Sequence, residues 1–326
     1  MSSSTFSSKR WWLGTIIIAV AVSLAMLEVV TRVVLYPASK DFVRFAQYPL
    51  LAESLVNRPG TRVALIGNSA TEEGVDLATV VAELQRRDLG HVHVEMFVAD
   101  ASEITTWRYM LERYFWKPGF QPDLIVITFF DSLLSDDSEK EIGRLAQFFT
   151  SPSDWPDVFR TDLSGLSQRI TFALSLGWAT YAAKDRIKAR VLGSLVPNYK
   201  RFESALAADA ARHARHLGRT VATSGNYHAL RRLLARAREV GSPICFIAFP
   251  MKTSGSEAPY ELDVQAQWIL QEAGMELIDL RAVPELTPND YRDIIHLNES
   301  GRVKYSRRLA QILAGRLIVD HAGPLR

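Results

Sequence analysis

An apolar run followed by a polar turn, RVALIGNSAT at residues 62–71, gives the best indication of the fold. Its first half, Arg62 to Ile66, has the length and composition of one buried strand, and a helix-like stretch follows from about Leu77. The same alternation recurs, with strands predicted at Val92 to Val98, Asp123 to Phe129, Ile244 to Phe249 and Glu276 to Leu280, and helices at Glu103 to Phe115 and Glu299 to Leu317. Five strands alternating with helices predict an α/β fold with a mostly parallel five-stranded sheet, covered by helices on both faces.

Length, charge and cysteine content exclude several classes of protein. The chain has 326 residues, with 38 Lys and Arg against 36 Asp and Glu, so its charge gives no support to binding of nucleic acid. Hydrophobic residues make up 48% and charged residues 23%, which excludes a wholly disordered chain and a polytopic membrane protein. The single cysteine, Cys245, cannot form an intramolecular disulfide, and no cysteine cluster is present to hold zinc.

The N-terminal region predicts one membrane anchor. Residues 11–27 carry no charge, and the stretch to Leu35 adds only Glu28 and Arg32; 25 helical residues span ~37 Å, enough to cross a bilayer. Lys9 and Arg10 precede this stretch. We therefore expect a cytoplasmic N-terminus at 1–10, a transmembrane helix at 11–35 in the cytoplasmic (inner) membrane, and the remaining chain on the periplasmic side. A cleaved signal peptide is the alternative, because small residues at 23 and 25 have the spacing that signal peptidase uses.

The rest of the chain is predicted to form one large domain with an insertion. Residues 36–60 are expected to be a linker, 61–317 the α/β domain and 318–326 a C-terminal tail. Over a hundred residues separate the third and fourth predicted strands, more than a crossover needs, so a helical insertion is expected at about 151–226. It is either a helical subdomain packed on the sheet or a surface for a membrane or a partner protein.

Ser69, His296 and Asp293 carry the strongest chemical signal. Ser69 follows the first predicted strand at its carboxyl end, where ligands gather in parallel sheets, although it could instead only cap a helix. Asp293 precedes His296 by three residues in the loop before the last helix. A carboxylate there can fix the tautomer of an imidazole that removes the proton of a serine hydroxyl. Asp88 and His91 have the same spacing but lie at the opposite end of the sheet, so we interpret them as part of a turn.

These residues resemble a known family. Gly67-Asn68-Ser69 after the first strand, and the segment 293–298 with Gly301 before the last helix, are similar to the first and last signature blocks of the SGNH/GDSL hydrolase superfamily. The resemblance covers about residues 61–150 and 226–317. It implies a flavodoxin-like three-layer α/β/α fold, with Ser69 as nucleophile, His296 as base and Asp293 orienting the base.

The middle blocks of that family are altered in this chain. Where the family has a glycine whose N–H binds the oxyanion, this sequence has Ser102, whose backbone N–H is the expected substitute. Where the family has an asparagine before an aspartate, this sequence has Phe130, which offers no side-chain donor. The expected oxyanion donors are therefore the N–H groups of Ser69 and Ser102, with the Asn68 side chain as a further candidate unless it satisfies the turn instead.

Other polar residues give weaker signals. Glu72 and Glu73 either contact substrate or favour the start of a helix, and Asp131, Asp136 and Asp137 either line the cleft or are solvated. The pairs His91-x-His93 and His213-x-x-His216 lack carboxylate or cysteine neighbours, so no metal site is predicted. No glycine-rich phosphate-binding motif follows the first strand, and no cofactor is expected.

Together these signals suggest a function at the cell envelope. The resemblance implies an acyl esterase or O-acyltransferase that acts on cell-envelope glycan through an acyl-serine intermediate. Similar proteins with an N-terminal anchor often act in polysaccharide O-acetylation beside a membrane-bound O-acyltransferase partner, which favours transfer over hydrolysis. The alternative is a catalytically inactive binding or assembly subunit for polysaccharide modification or export, which the altered middle blocks favour.

Overall fold

The computed structural model describes residues 5–130, 132–136, 140–196, 226–253 and 259–322. The chain divides into two compact units. The anchor unit comprises Met1–Ala46, Ile142–Phe148 and Leu163–Ala222. The sheet unit comprises Gln47–Glu141, Phe149–Asp162 and Thr223–Arg326.

The sheet unit contains a parallel five-stranded sheet. The strands are β1 (Thr61–Gly67), β2 (Val92–Val98), β3 (Leu124–Phe129), β4 (Ile244–Ala248) and β5 (Glu276–Asp279). Their order is β2-β1-β3-β4-β5, and every neighbouring pair is parallel. This is the strand order of flavodoxin-like sheets, so the predicted fold is confirmed, and each strand begins and ends within one residue of its predicted limits.

Helices connect these strands and form the anchor unit. The α-helices are α1 (Thr5–Val30), α2 (Lys40–Val56), α3 (Ser69–Gly74), α4 (Leu77–Gln85), α5 (Ile104–Leu111), α6 (Ile142–Arg144), α7 (Trp155–Asp157), α8 (Leu166–Gly177), α9 (Ala179–Ala182), α10 (Lys184–Leu195), α11 (His228–Val240), α12 (Val264–Glu272) and α13 (Glu299–Ala322). Short π-helical turns occur at Thr31–Leu35, Glu112–Trp116, Leu145–Phe149 and Val158–Asp162, and a 3₁₀ turn at Pro288–Asp290.

The alternation of side chains along the strands explains why the inner strands are apolar throughout. Val63 and Leu65 of β1 belong to a buried cluster with Val80 of α4 and Leu309 of α13. The intervening residue Ala64 points to the other face and is also fully buried. Because both faces of β1 and β3 are covered, neither strand can carry alternating polar residues.

Two predicted boundaries are corrected by the helices. The stretch 36–60, predicted as a linker, contains α2, in which Tyr48, Ala52 and Leu55 are buried at helical spacing. The Tyr48 hydroxyl donates to the Val98 carbonyl oxygen at 2.5 Å and accepts from the Val98 N–H at 2.8 Å. The last helix runs to Ala322, so the tail predicted at 318–326 begins as helix.

The predicted insertion at about 151–226 also has different limits. Residues 142–148 belong to the anchor unit, whereas Phe149–Asp162 belongs to the sheet unit. Two contacts hold this second segment in place: Lys117 pairs with Asp154 at 2.6 Å, and the Tyr109 hydroxyl donates to Asp162 at 2.5 Å. Sequence spacing could not show these contacts, because each joins residues more than thirty-five positions apart. Residues 212–219, a basic part of the predicted insertion with three arginines, lie outside the described residues.

Among the described residues, one helical segment is long and apolar enough to cross a membrane. It runs from Trp11 to Leu35, comprising most of α1 and the π-helical turn that follows. Large apolar side chains such as Trp11, Ile18 and Val33 are exposed along it. Its length and apolar composition are those on which the predicted anchor rests.

Candidate active site

The turn after β1 places Ser69 where parallel sheets bind ligands. After β1 the chain forms β2 on one side of it, and β3 then pairs with β1 on the other side. The carboxyl ends of β1 and β3 therefore flank the point where the strand order reverses. Asn68 caps α3, and Ser69 is the first residue of that helix. Its backbone N–H therefore has no partner within the helix and can donate to a bound group.

The structure brings the three candidate catalytic side chains together. His296 Nε2 lies 3.1 Å from Ser69 Oγ, and His296 Nδ1 lies 2.8 Å from Asp293 Oδ2. The imidazole is 17% exposed and Asp293 is 46% exposed, so the site is open to a substrate. These distances allow Ser69 to donate to the imidazole while the imidazole donates to the carboxylate.

Asp293 is held as an anion by its own loop. Its Oδ1 accepts the backbone N–H groups of Ile295 at 2.9 Å and His296 at 2.8 Å. Desolvation by burial opposes ionisation, but these N–H donors and the His296 ring hold the pKa of Asp293 below its usual value. At neutral pH the carboxylate is therefore charged and can stabilise a protonated imidazole.

A second carboxylate, Asp290, holds the shape of the His loop, defined here as residues 287–298. Asp290 is 3% exposed. Its Oδ2 accepts the Thr287 N–H and hydroxyl, both at 2.8 Å, its Oδ1 accepts the Ser300 hydroxyl at 2.9 Å, and Lys304 Nζ reaches both oxygens. Burial opposes the charge, but the donors from Lys304, Thr287 and Ser300 hold the pKa of Asp290 well below its ordinary value.

Further contacts tie the His loop to neighbouring elements. The Lys252 N–H, after β4, donates to the Ile294 carbonyl oxygen at 2.8 Å. Arg292 pairs with Glu73 of α3 at 2.5 Å, so Glu73 contacts the loop that carries the base. Sequence reasoning missed Asp290 and Arg292. The spacing of Thr287 and Asp290 is that of a capping box, a signal that could have identified the first of them.

One of the three predicted oxyanion donors, Ser102, is corrected, and Asn68 takes the alternative role considered for it. The Ser102 N–H donates to the Ala99 carbonyl oxygen at 3.2 Å. The buried Ser102 hydroxyl donates to the Gly67 carbonyl oxygen and accepts from Trp107 Nε1. The Asn68 carboxamide oxygen accepts the Ala70 N–H at 3.0 Å, so Asn68 satisfies the turn. The Ser102 N–H is occupied because it closes a tight turn at a strand end. The Ser69 N–H remains as the expected donor, and Phe130 packs against the apolar core.

The remaining candidates lie elsewhere or outside the described part of the chain. Asp136 caps α11 by accepting the N–H groups of His228 and Ala229 at 2.7 and 2.9 Å. His93 Nε2 lies 2.9 Å from the Pro59 carbonyl oxygen. Asp131, Asp137, His213 and His216 fall outside the described residues.

Gly301 is expected to be intolerant of a side chain, because it lies against the His loop. A Cβ there would lie 2.2 Å from the backbone oxygen of Asp290, so Gly301→Ala should lower the free energy of unfolding by about 2 kcal/mol. Gly315→Ala in the same helix is the matched control, since a Cβ there meets nothing within 4 Å and should stabilise by roughly 0.5–1 kcal/mol. Urea denaturation of both variants measures the difference. Equal effects of the two substitutions would contradict the close approach at Gly301.

Comparison with known proteins finds similarity to solved structures only. No family model matches the chain, and no curated protein matches it. An acetyl xylan esterase named AlAXEase is 12% identical with a TM-score of 0.39, over 78% of this chain and 98% of that one. An acetylxylan esterase from Geobacillus stearothermophilus is 12% identical with a TM-score of 0.38, over 78% and 95%. A protein described as a GDSL-like lipase from Parabacteroides merdae is 13% identical with a TM-score of 0.36, over 80% and 98%. At these values the likeness does not extend to activity.

Proposed function

We propose that this protein is a membrane-anchored, SGNH-like serine acyl esterase or O-acyltransferase that acts on cell-envelope glycan. The observation that carries the proposal is the continuous hydrogen-bonded series from Ser69 through His296 to Asp293. The two loops concerned are 227 positions apart in sequence. Their convergence at the carboxyl end of β1 is what nucleophilic catalysis by a serine requires.

The first half of the reaction forms an acyl-serine. His296 Nε2 removes the proton from Ser69 as Ser69 Oγ attacks the ester carbonyl carbon, and the carbonyl oxygen becomes an oxyanion that the Ser69 N–H stabilises. Asp293 stabilises the imidazolium through Nδ1. As the tetrahedral intermediate collapses, the bond to the alcohol breaks, and the imidazolium returns its proton to the departing oxygen.

The second half releases the acyl group to an acceptor. His296 removes a proton from water or from a sugar hydroxyl, whose oxygen attacks the acyl-serine. Collapse of this intermediate regenerates Ser69 with the same proton. Transfer to a sugar is favoured over hydrolysis by the resemblance to anchored envelope proteins that act in polysaccharide O-acetylation, and a membrane-bound O-acyltransferase is the corresponding partner. The apolar helix at Trp11–Leu35 is long enough to span a membrane, and Lys9 and Arg10 before it favour an inner-membrane location with the rest of the chain in the periplasm.

A catalytically inactive binding or assembly subunit is the second candidate. The observation that favours it is the shortage of oxyanion donors, since the Ser102 N–H closes a turn onto Ala99 and Phe130 offers no side-chain donor. Removing one such donor typically lowers the rate roughly 100- to 1,000-fold. The intact series of Ser69, His296 and Asp293 opposes this candidate, because glycan binding does not require it.

A fluorophosphonate probe distinguishes the two candidates. We expect the full-length protein in detergent to form a covalent adduct on Ser69, because the probe needs a serine activated by a base. Ser69→Ala should abolish the adduct, whereas Ser167→Ala, a control at an exposed serine of α8, should retain it. Peptide mass analysis locates the adduct. A protein that forms no adduct on Ser69, either alone or in native membranes, would be the inactive subunit.

A further inference from the structure

Helix α8 is apolar on the face that it turns away from its unit. Phe172 and Ser175 are buried, whereas Leu166, Ile170 and Leu174 are 75%, 48% and 40% exposed. These three residues are spaced by four and therefore form one stripe along the helix. An outward stripe of large apolar side chains is unfavourable in water and usually indicates an interaction surface.

Helix α10 has an exposed face of the complementary kind. Lys184, Lys188, Val191 and Leu195 stand at i, i+4, i+7 and i+11, so they share one side of the helix, and all four are exposed. Its first half is basic and its second half apolar. The stripe on α8 and this face of α10 are together called the apolar-basic surface.

The helix between them is hydrogen-bonded to the end of the apolar helix α1. The Glu28 carboxylate accepts the N–H groups of Ala179 and Thr180, both at 2.9 Å. Thr31 Oγ1 lies 2.9 Å from Thr180 Oγ1, and Arg32 donates to the carbonyl oxygen of Gly177, the last residue of α8, at 3.2 Å. All these residues belong to the anchor unit, so α8 ends and α10 begins close to Glu28 and Arg32.

Within the proposed anchor at Trp11–Leu35, Glu28 and Arg32 indicate where the hydrocarbon core ends and the headgroup layer begins. They are the first charged residues after the uncharged run 11–27, and 17 helical residues cover ~26 Å, close to the thickness of the hydrocarbon core. The contacts to Gly177, Ala179 and Thr180 therefore fall at the headgroup level. Trp178 and Tyr181, with ring centroids 5.8 Å apart, are the aromatic type that this level favours.

We propose that the apolar-basic surface is seated on the anionic phospholipid surface of the same membrane that α1 spans. The α8 stripe enters the boundary between headgroups and acyl chains, and Lys184 and Lys188 contact anionic headgroups. This inference rests on the membrane anchor of the proposed function. Continuity with α1 and the basic charge of α10 favour lipid over a second copy of the chain or a partner protein.

The test uses single cysteines, because the one native cysteine, Cys245, is buried. An environment-sensitive fluorophore is attached to Ile170→Cys and Leu195→Cys in the full-length protein, reconstituted in phosphatidylcholine vesicles with about one third phosphatidylglycerol. Gly193→Cys is the matched control, since it lies roughly 160° round α10 from Leu195 and a side chain there meets nothing within 4 Å. Val20→Cys reports separately on α1.

We expect lipid-borne nitroxide to quench the probes at positions 20, 170 and 195, and not the probe at 193. Lys184→Glu combined with Lys188→Glu should weaken quenching at 170 and leave quenching at 20 unchanged. Quenching at 20 alone would overturn the docking inference and leave the anchor intact. Absence of quenching at 20 would show that the anchor itself is wrong, and with it the inference. Quenching of the probe at 170 that disappears at one copy per vesicle would show that it depends on a second copy of the chain, which also overturns the inference.

Discussion

His296→Gln is expected to lower the rate of ester hydrolysis by about 10⁴- to 10⁶-fold, the loss seen when the base of a serine triad is removed. Glutamine cannot take the proton of Ser69, whose Oγ lies 3.1 Å from His296 Nε2. Its side chain also cannot deliver a proton to the departing alcohol. The measurement is release of 4-nitrophenol from 4-nitrophenyl acetate by the full-length protein in detergent.

His228→Gln is the matched control for this loss. His228 is an exposed residue at the start of α11, and its replacement should leave the rate unchanged. Circular dichroism of both variants shows that the fold is retained. Activity that survives His296→Gln at the level of the control would remove His296 from the mechanism and leave the arrangement of Ser69, His296 and Asp293 without a catalytic role.

Asp290→Ala is expected to lower the free energy of unfolding by about 2–3 kcal/mol, because it removes a buried charged acceptor that holds several hydrogen bonds of the His loop. The carboxylate is 3% exposed and accepts donors from Thr287, Ser300 and Lys304. Asp279→Ala is the matched control, since Asp279 pairs with Arg281 but is 49% exposed, and exposed pairs contribute about 0–1 kcal/mol. Urea denaturation gives both values.

The pH dependence of the Asp290 effect has a definite sign. The pKa of Asp290 is lower in the folded chain than its ordinary value, so the folded state binds the proton less readily than the unfolded state. Its stabilisation is therefore full above the unfolded pKa of about 4 and is lost as the pH falls below it. The difference between wild type and Asp290→Ala should shrink in that acidic range. A difference that is constant from neutral to acidic pH would contradict the role of the charge.

Much of the sheet could be predicted because the apolar composition of a strand reflects how far its two faces are buried. The limits of β1, β3 and β4 follow from short apolar runs, since burial on both faces excludes most polar side chains, whereas the outer strands β2 and β5 keep polar residues at partly or fully exposed positions. Helix α2 was missed, although Tyr48 and Leu55 stand at helical spacing, because Pro49 within the stretch is typical of a helix end rather than of a helix interior. Burial of that face depends on contacts such as the one between Tyr48 and Val98, which local sequence does not encode.

The oxyanion donors show the same limit at the site. Ser102 has the backbone N–H that the chemistry needs, and the sequence therefore allowed it as a donor. Only the fold shows that this N–H closes a turn onto Ala99 and that the Asn68 side-chain oxygen accepts the Ala70 N–H. Whether a backbone group is available depends on the dihedral angles of its own turn, and residue identity alone does not fix them.

By itself, the sequence determined the alternation of strands and helices, the apolar N-terminal segment and the residue types of the candidate site, because periodicity, length and chemistry are local properties. The tertiary structure decided that Ser69 meets His296 across 227 positions, that Asp290 and Lys304 hold the loop between them, and that the outward face of α8 is apolar. Such contacts depend on the order in which strands pair and on which helix face is already covered, and both are fixed only when the whole chain packs.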